Sequence, residues 1–225
     1  MANLNKLYDY SLVGNVPPIS ANAQTKIDNH NIVDKDDWGK SFSKDFISEL
    51  KEYYAQKQGH KCAYCRSRIT PDGYTEPVEH ITPRKLKPHW MFVKNNLVVS
   101  CGGCNSFKGE DNVLRNNEET YGHNAISCPS NSIEYRIFNP HYDRWSDHFE
   151  IEDKYFIKPK ANTKGPFTYS TCGMNRYQII LDYLFSQNIR TQFSQKALTS
   201  RIRKEKNGKK KEALLKALET IKNSI

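Results

Sequence analysis

Long apolar runs are missing from this chain. No stretch approaches the ~18 consecutive apolar residues of a membrane span, and hydrophobic residues make up only 37% of the 225. No membrane partner is expected. No apolar run stands behind Met1, so no secretory leader is expected either, and the chain reads as cytoplasmic. Internal repeats are absent. Acidic residues are outnumbered, 25 against 34 Lys and Arg, for a formal net charge of +9. Cysteine is sparse at six residues, and in a reducing compartment paired thiols point to metal rather than to a disulfide scaffold. With aromatics at 12%, a packed core is affordable but leaves little material for a separate second one.

The positive charge is concentrated. Residues 186–225 hold eleven Lys and Arg against three acids, so +8 of the +9 lies there. Such a block fits the phosphate backbone of a nucleic acid, with Arg201, Arg203 and Lys204 as candidate contacts. It fits an acidic protein surface equally well.

Periodicity outlines an α+β chain. Residues 1–36 are polar, with Pro17-Pro18 and an Asn-rich run, and read as an extended arm. Phe42, Phe46, Leu50 and Tyr53/Tyr54 recur at helical steps, predicting a helix over 42–58. Ser41 or Ser43 would cap its start, Gly59 would end it, and Trp38 would staple its first turn. A strand over 75–82 follows a turn at Pro71-Asp72-Gly73, and a short apolar strand over 97–100 leads into a helix over 105–113. Beyond these, the pattern predicts a strand over 133–140, a hairpin over 148–157 and a loop over 160–168. A long helix over 175–206 and a last short one over 209–222 complete it. Residues 1–36 would form the arm, 37–115 the core and 116–225 an α+β extension ending in a basic helical tail.

Four cysteines fall in two pairs, Cys62-x-x-Cys65 and Cys101-x-x-Cys104, separated by 35 residues. Four thiolates close one tetrahedral zinc site and leave no open position, so the Zn2+ would be structural. The gap is long enough to hold an inserted hairpin. Cys128 and Cys172 read as ordinary free thiols.

Inside the frame lie Glu79-His80, Asn96 and Asn105. Neighbouring side chains on a strand point to different sides, so the Glu79-His80 pair can divide its labour. A neutral imidazole suits a general base, and a carboxylate and an amide oxygen are hard donors suited to Mg2+. Asn96 sits on the facing strand and could fix His80 or its loop. Arg84, Lys85 and Lys87 follow the histidine and Lys108 follows Asn105, all candidate phosphate contacts. His89, His123, His141 and His148 read as structural or surface residues, although His141 and His148 flank aromatics that could assist nucleic-acid binding.

The order Cys62-x-x-Cys65, Glu79-His80-Ile81-x-Pro83, Asn96-Leu97, Cys101-x-x-Cys104-Asn105-x-x-Lys108 resembles the HNH endonuclease family over about 47 residues. The resemblance implies a zinc-bracketed ββα-metal core with an N-terminal helix and a C-terminal helical extension. It implies His80 as the base that activates water, Asn96 as the residue that orients it, and Glu79 and Asn105 as ligands of a catalytic Mg2+ or Mn2+. The chain departs from the family where Asn105 replaces the last histidine, an HNN variant; an amide there favours harder ions. Length, the segment Asn139-Pro140-His141-Tyr142-Asp143 and the basic tail resemble the HNH subunit of Septu-type anti-phage systems, which implies DNA as substrate and an ATPase partner protein. A non-catalytic zinc module that binds nucleic acid and an RNA-directed nuclease are the competing expectations.

Overall fold

The computed structural model describes residues 12, 16–32, 34–69, 77–115, 121–122, 124–153, 156–186 and 191–223. The turn expected at 71–73, His123 and residues 187–190 lie outside them. In chain order the elements are α1 (Ala21–Asp28), α2 (Lys44–Lys57), β1 (Val78–His80), β2 (Leu97–Val99), α3 (Gly102–Lys108) and the single turn α4 (Trp145–His148). Then come β3 (Phe149–Glu152), β4 (Phe156–Pro159), α5 (Gly165–Thr171), α6 (Tyr177–Ser186), α7 (Thr191–Lys204) and α8 (Gly208–Lys222). The architecture is α+β, as the periodicity indicated: two separate two-stranded antiparallel sheets, β1-β2 and β3-β4, surrounded by helices.

The stripe on α2 forms as its spacing demands. Phe46, Leu50 and Tyr54 are fully buried and Phe42 and Tyr53 half-buried. The chain leaves the helix through Gln58 and a left-handed Gly59 at φ +61°, a conformation that glycine adopts without strain. Gln58 then works as a piece of backbone. Its amide nitrogen donates to the carbonyls of Lys61 and Val99 at 2.8 and 2.7 Å, and its amide oxygen accepts from the Val99 N–H at 3.0 Å. This buried side chain thereby ties the end of α2 to β2. Ser43 does not cap α2; its hydroxyl donates to the Lys40 carbonyl and accepts from the Gly39 N–H. Trp38 stacks on Phe92, which also meets the Phe42 and Phe46 rings.

Several elements differ from the pattern reading, each for a local reason. Residues 1–36 are not wholly an extended arm, because α1 forms there. Ser20 caps it through the Ala23 N–H, and Ala23 and Ile27 bury. The strand expected over 75–82 is only three residues within the described part. Register pairs Val78 with Val99, Glu79 with Val98 and His80 with Leu97, and Ile81 N–H then donates to the Asn96 carbonyl. The helix after Cys104 starts earlier, capped by Cys101, and stops at Gly109 with φ +49°. In place of a strand over 133–140, a 3-10 turn Ser132–Glu134 leads to a lone bridge between Leu114 and Tyr135. Among the described residues, no neighbouring strand stands there to pair with it. The loop over 160–168 contains the start of α5, with Pro166 in its first turn, a position where a missing N–H does no harm. Of the helix expected over 175–206, α6 and α7 cover Tyr177–Ser186 and Thr191–Lys204, and residues 187–190 between them lie outside the described residues. The hairpin over 148–157 and the last helix form as expected.

The segment Asn139-Pro140-His141-Tyr142-Asp143 braces β2 from behind. The His141 side-chain Nε2 lies 2.9 Å from the Leu97 carbonyl, so that nitrogen carries the proton. Asp143 accepts from the Asn139 N–H at 2.8 Å, from Ser132 Oγ and from Lys164 Nζ at 2.7 Å. Burial alone would raise the Asp143 carboxyl. Hydrogen bonds from His148, Lys164 and Ser132 outweigh that and lower it to about 2.

Burial holds His141 neutral, lowering its pKa to about 4. An unfolded histidine titrates near 6.5, so the folded state takes up the proton later as pH falls. The stability this neutral ring contributes is intact above pH 6.5 and is lost between there and pH 4, about 3 kcal/mol. Urea titrations at pH 7 and pH 4 should show a smaller pH-dependent loss in His141→Gln than in the parent chain. Equal losses in both would show that His141 is not a buried neutral base.

Candidate active site and zinc centre

The first knuckle is a tight turn closed by its own backbone. Arg66 N–H donates to the Cys62 carbonyl, Cys62 N–H to Ser67 and Ala63 N–H to Val99 on β2. Arg66 takes a left-handed φ of +61° to close it. The second knuckle is the N-terminus of α3, where Cys101 is the cap and its sulfur accepts from the Cys104 N–H at 3.4 Å. Helix N-termini favour negative charge, and such a cap stabilises a thiolate. The four sulfurs, Cys62, Cys65, Cys101 and Cys104, all lie within 4.8 Å of one another. A donor set of four clustered thiols fits Zn2+. Hydrogen bonds from Cys104 and Cys62 hold the Cys101 thiol well below its usual range. Burial pushes the Cys62 thiol up. Cys128 and Cys172 stand apart from this cluster; Cys172 is buried and Cys128 contacts the Tyr135 hydroxyl.

Glu79, His80 and Asn105 line one cleft of about 250 Å³, together with Lys35, Pro83, Arg84, Lys85, Gly109 and Glu110. β1 delivers Glu79 and His80, and the first turn of α3, anchored by Cys101 and Cys104, delivers Asn105. The imidazole is held on two sides. Nε2 sits 3.2 Å from the Met91 carbonyl, and the Trp38 ring meets it edge-on with centroids 4.4 Å apart. A carbonyl can only accept, so Nε2 bears the proton and Nδ1 is left as the acceptor. Burial, followed by the nearby Arg84 charge, lowers the His80 pKa to about 3, so the ring is neutral.

Asn96 is fully buried behind the cleft. Its Oδ1 accepts from the Thr82 N–H at 2.8 Å, and its Nδ2 donates to the Thr82 and Trp90 carbonyls at 3.0 and 3.3 Å. It therefore fixes the loop that follows His80 rather than the ring itself, one of the two arrangements its position allowed.

Lys108 is the residue that sequence reasoning placed differently. It is 1% exposed and turned inward: Nζ donates to the His80 carbonyl at 3.0 Å and lies 2.6 Å from Glu79 Oε1. The latter is a buried ion pair, 1% and 5% exposed at its two side chains. Burial pushes the Glu79 carboxyl up and Lys108 opposes it. A carboxylate and an amide lining the same cleft are the donor types that a hard cation takes. Lys87 is also inside, hydrogen-bonded to the Tyr121 and Gly122 carbonyls and set over the Trp90 ring. Arg84 and Lys85 do line the cleft. Arg84 donates to the Lys35 carbonyl and Lys85 pairs with Glu110 at 2.5 Å. Farther away, Arg201 is occupied by Glu152, Asp153 and Glu205, whereas Arg203 and Lys204 are exposed. Those two line a shallow groove with Lys196 and Lys222.

The chain is 29% identical over 102 residues to the Septu protein PtuB of Bacillus thuringiensis, covering 45% of this chain and 35% of that protein. It thus spans about a third of the length of the curated relative it matches. No family model matches the chain, and no solved structure does. Among the described residues, no helix is long and apolar enough to cross a membrane.

Cys104→Ser should reduce bound zinc, measured by plasma mass spectrometry, from one equivalent to well below it and should lower the melting temperature. Cys128→Ser should retain the metal. Full zinc occupancy in Cys104→Ser would remove that sulfur from the site.

Proposed function

We propose that the chain is a metal-dependent endonuclease that hydrolyses DNA phosphodiester bonds in anti-phage defence. The observation that carries the chemistry is the convergence of Glu79, His80 and Asn105 on one cleft, with the imidazole tautomer fixed by the Met91 carbonyl. Similarity to a Septu protein supports the defence setting, and an ATPase partner belongs to the same reading.

In this reading His80 Nδ1 takes the proton from the attacking water. The Met91 carbonyl and Trp38 keep the ring aimed while it does so, and the carbonyl stabilises the imidazolium that forms. Asn96 holds the loop after His80 against the Thr82 backbone, so the base does not drift. A divalent cation, Mg2+ or Mn2+, held by Glu79 and Asn105 would supply charge stabilisation at the scissile phosphate and the leaving oxygen. Lys108 restrains Glu79 from behind and keeps α3 docked on β1. Arg84 and Lys85 at the cleft mouth meet flanking phosphates. Zn2+ takes no part in the reaction, because four thiolates leave it closed.

A zinc module that merely binds nucleic acid needs no such constellation. Supercoiled plasmid with Mg2+ or Mn2+ should be nicked or cut, and His80→Ala should lower the rate by roughly 100-fold or more with zinc content unchanged. Undiminished cutting by His80→Ala would sink the assignment; RNA run alongside DNA separates the two nuclease readings.

The exposed cations of the tail belong to the same proposal. Replacing Arg203 and Lys204 together with alanine should weaken DNA binding at every sequence and flatten the log–log salt dependence by about two. An unchanged slope would assign that groove to another partner.

A further inference from the structure

The region after residue 116 reaches back to the zinc centre at three points. Trp145 Nε1 donates to the Tyr64 carbonyl at 2.8 Å, and the Tyr183 hydroxyl donates to the Cys65 carbonyl at 2.9 Å. Both of those grip the backbone of the first knuckle. The third contact reaches the sulfurs themselves. Arg176 Nη2 lies 3.4 Å from Cys104 Sγ and 3.8 Å from Cys101 Sγ.

The guanidinium is held by two carbonyls and an aromatic ring. Nη1 donates to the carbonyls of Cys172 and Gly173 at 2.6 and 2.8 Å. Its plane centre lies 5.1 Å from the centre of the Phe107 ring, within cation–π range. The remaining side is Gly103, inside the Cys101-x-x-Cys104 turn. A Cβ at that position would stand 2.8 Å from Nη2 and 3.0 Å from Cζ. The lack of a side chain between the second pair of cysteines is therefore what admits the arginine. Cys101 is the ligand among the four that is not fully covered; it lines a surface depression with Arg176, Arg68 and Asp182.

We propose that Arg176 is the outer-sphere cation of the four-cysteine zinc centre, and that it links zinc retention to docking of the C-terminal half. Four thiolates around Zn2+ leave a formal charge of −2, and a fixed guanidinium donor lowers both that charge and the sulfurs' tendency to take up protons or be captured by a competing ligand. Arginine suits this position because its rigid planar fork reaches sulfur with one nitrogen and backbone carbonyls with the other. The inference concerns the structural metal alone and stands whether or not the chain cuts DNA.

The test is zinc release from the purified full chain into excess chromogenic chelator, paired with the absorption spectrum of the Co2+-substituted protein. Arg176→Met keeps the stem and removes the charge. It should release zinc about tenfold faster or more and should shift the sulfur-to-cobalt charge-transfer bands; Arg176→Lys should fall between. A purely structural arginine would leave those bands unmoved. Release rates and bands equal to the parent's in Arg176→Met would overturn the proposal. Should that variant fail to fold, Gly103→Ala displaces the guanidinium from the opposite side. It should likewise speed zinc release and shift the cobalt bands, and parent-like rates and bands in it would overturn the proposal equally.

Discussion

The candidate cleft depends on four sulfurs drawn within 4.8 Å of one another. One pair sits in a turn hydrogen-bonded to β2 through Ala63 and Val99; the other caps α3. The strands are only three residues long, and an isolated two-stranded sheet is marginal in water. A metal held by both knuckles would fix where α3 begins relative to β2, and through the β1-β2 pairing relative to Glu79 and His80. Asn105 follows Cys104 directly, which ties its backbone to the cluster. Gln58, His141 and Asn96 add hydrogen bonds from α2, from the 139–143 segment and from the residue just before β2, and each one ends on backbone of the hairpin or of the loop inside it.

Much of this was legible in the sequence because the deciding interactions are local or carried by unusual residue types. Two Cys-x-x-Cys pairs state their own geometry, the α2 stripe follows the helical period, and the 148–157 hairpin follows the strand period. Tertiary partners were not legible. The Ser20 cap and the Ala, Gln and Lys of α1 are a short local signal, too brief to outweigh Pro17-Pro18 and the Asn-rich run around it, and packing against α2 completes it. The alternation at Ile133, Tyr135 and Ile137 reads as a strand, yet Ile133 is 70% exposed and the pairing is a single bridge from Tyr135 to Leu114.

Basic residues were the least readable part of the site. Lys87 and Lys108 lie in sequence where a phosphate contact would lie, and both fold inward to satisfy carbonyls or a carboxylate. Arg201 likewise bridges α7 to the acids of the β3-β4 hairpin. A basic residue near a candidate site is as readily a buried strut as a ligand contact, and only its burial and partners distinguish the two. Arg84 and Lys85 line the cleft while bonded to the Lys35 carbonyl and to Glu110. Of the three tail residues singled out in the sequence, Arg203 and Lys204 are exposed and Arg201 is tied to acids.

The central claim is that one frame carries two metals with separate tasks. Anomalous diffraction from crystals soaked in Mn2+, recorded at the zinc and manganese edges, measures this directly. The account predicts zinc among Cys62, Cys65, Cys101 and Cys104, with sulfur distances of about 2.3 Å, and manganese in the cleft between Glu79 and Asn105. Manganese absent from the cleft, or zinc bound there while the four sulfurs remain empty, would contradict it.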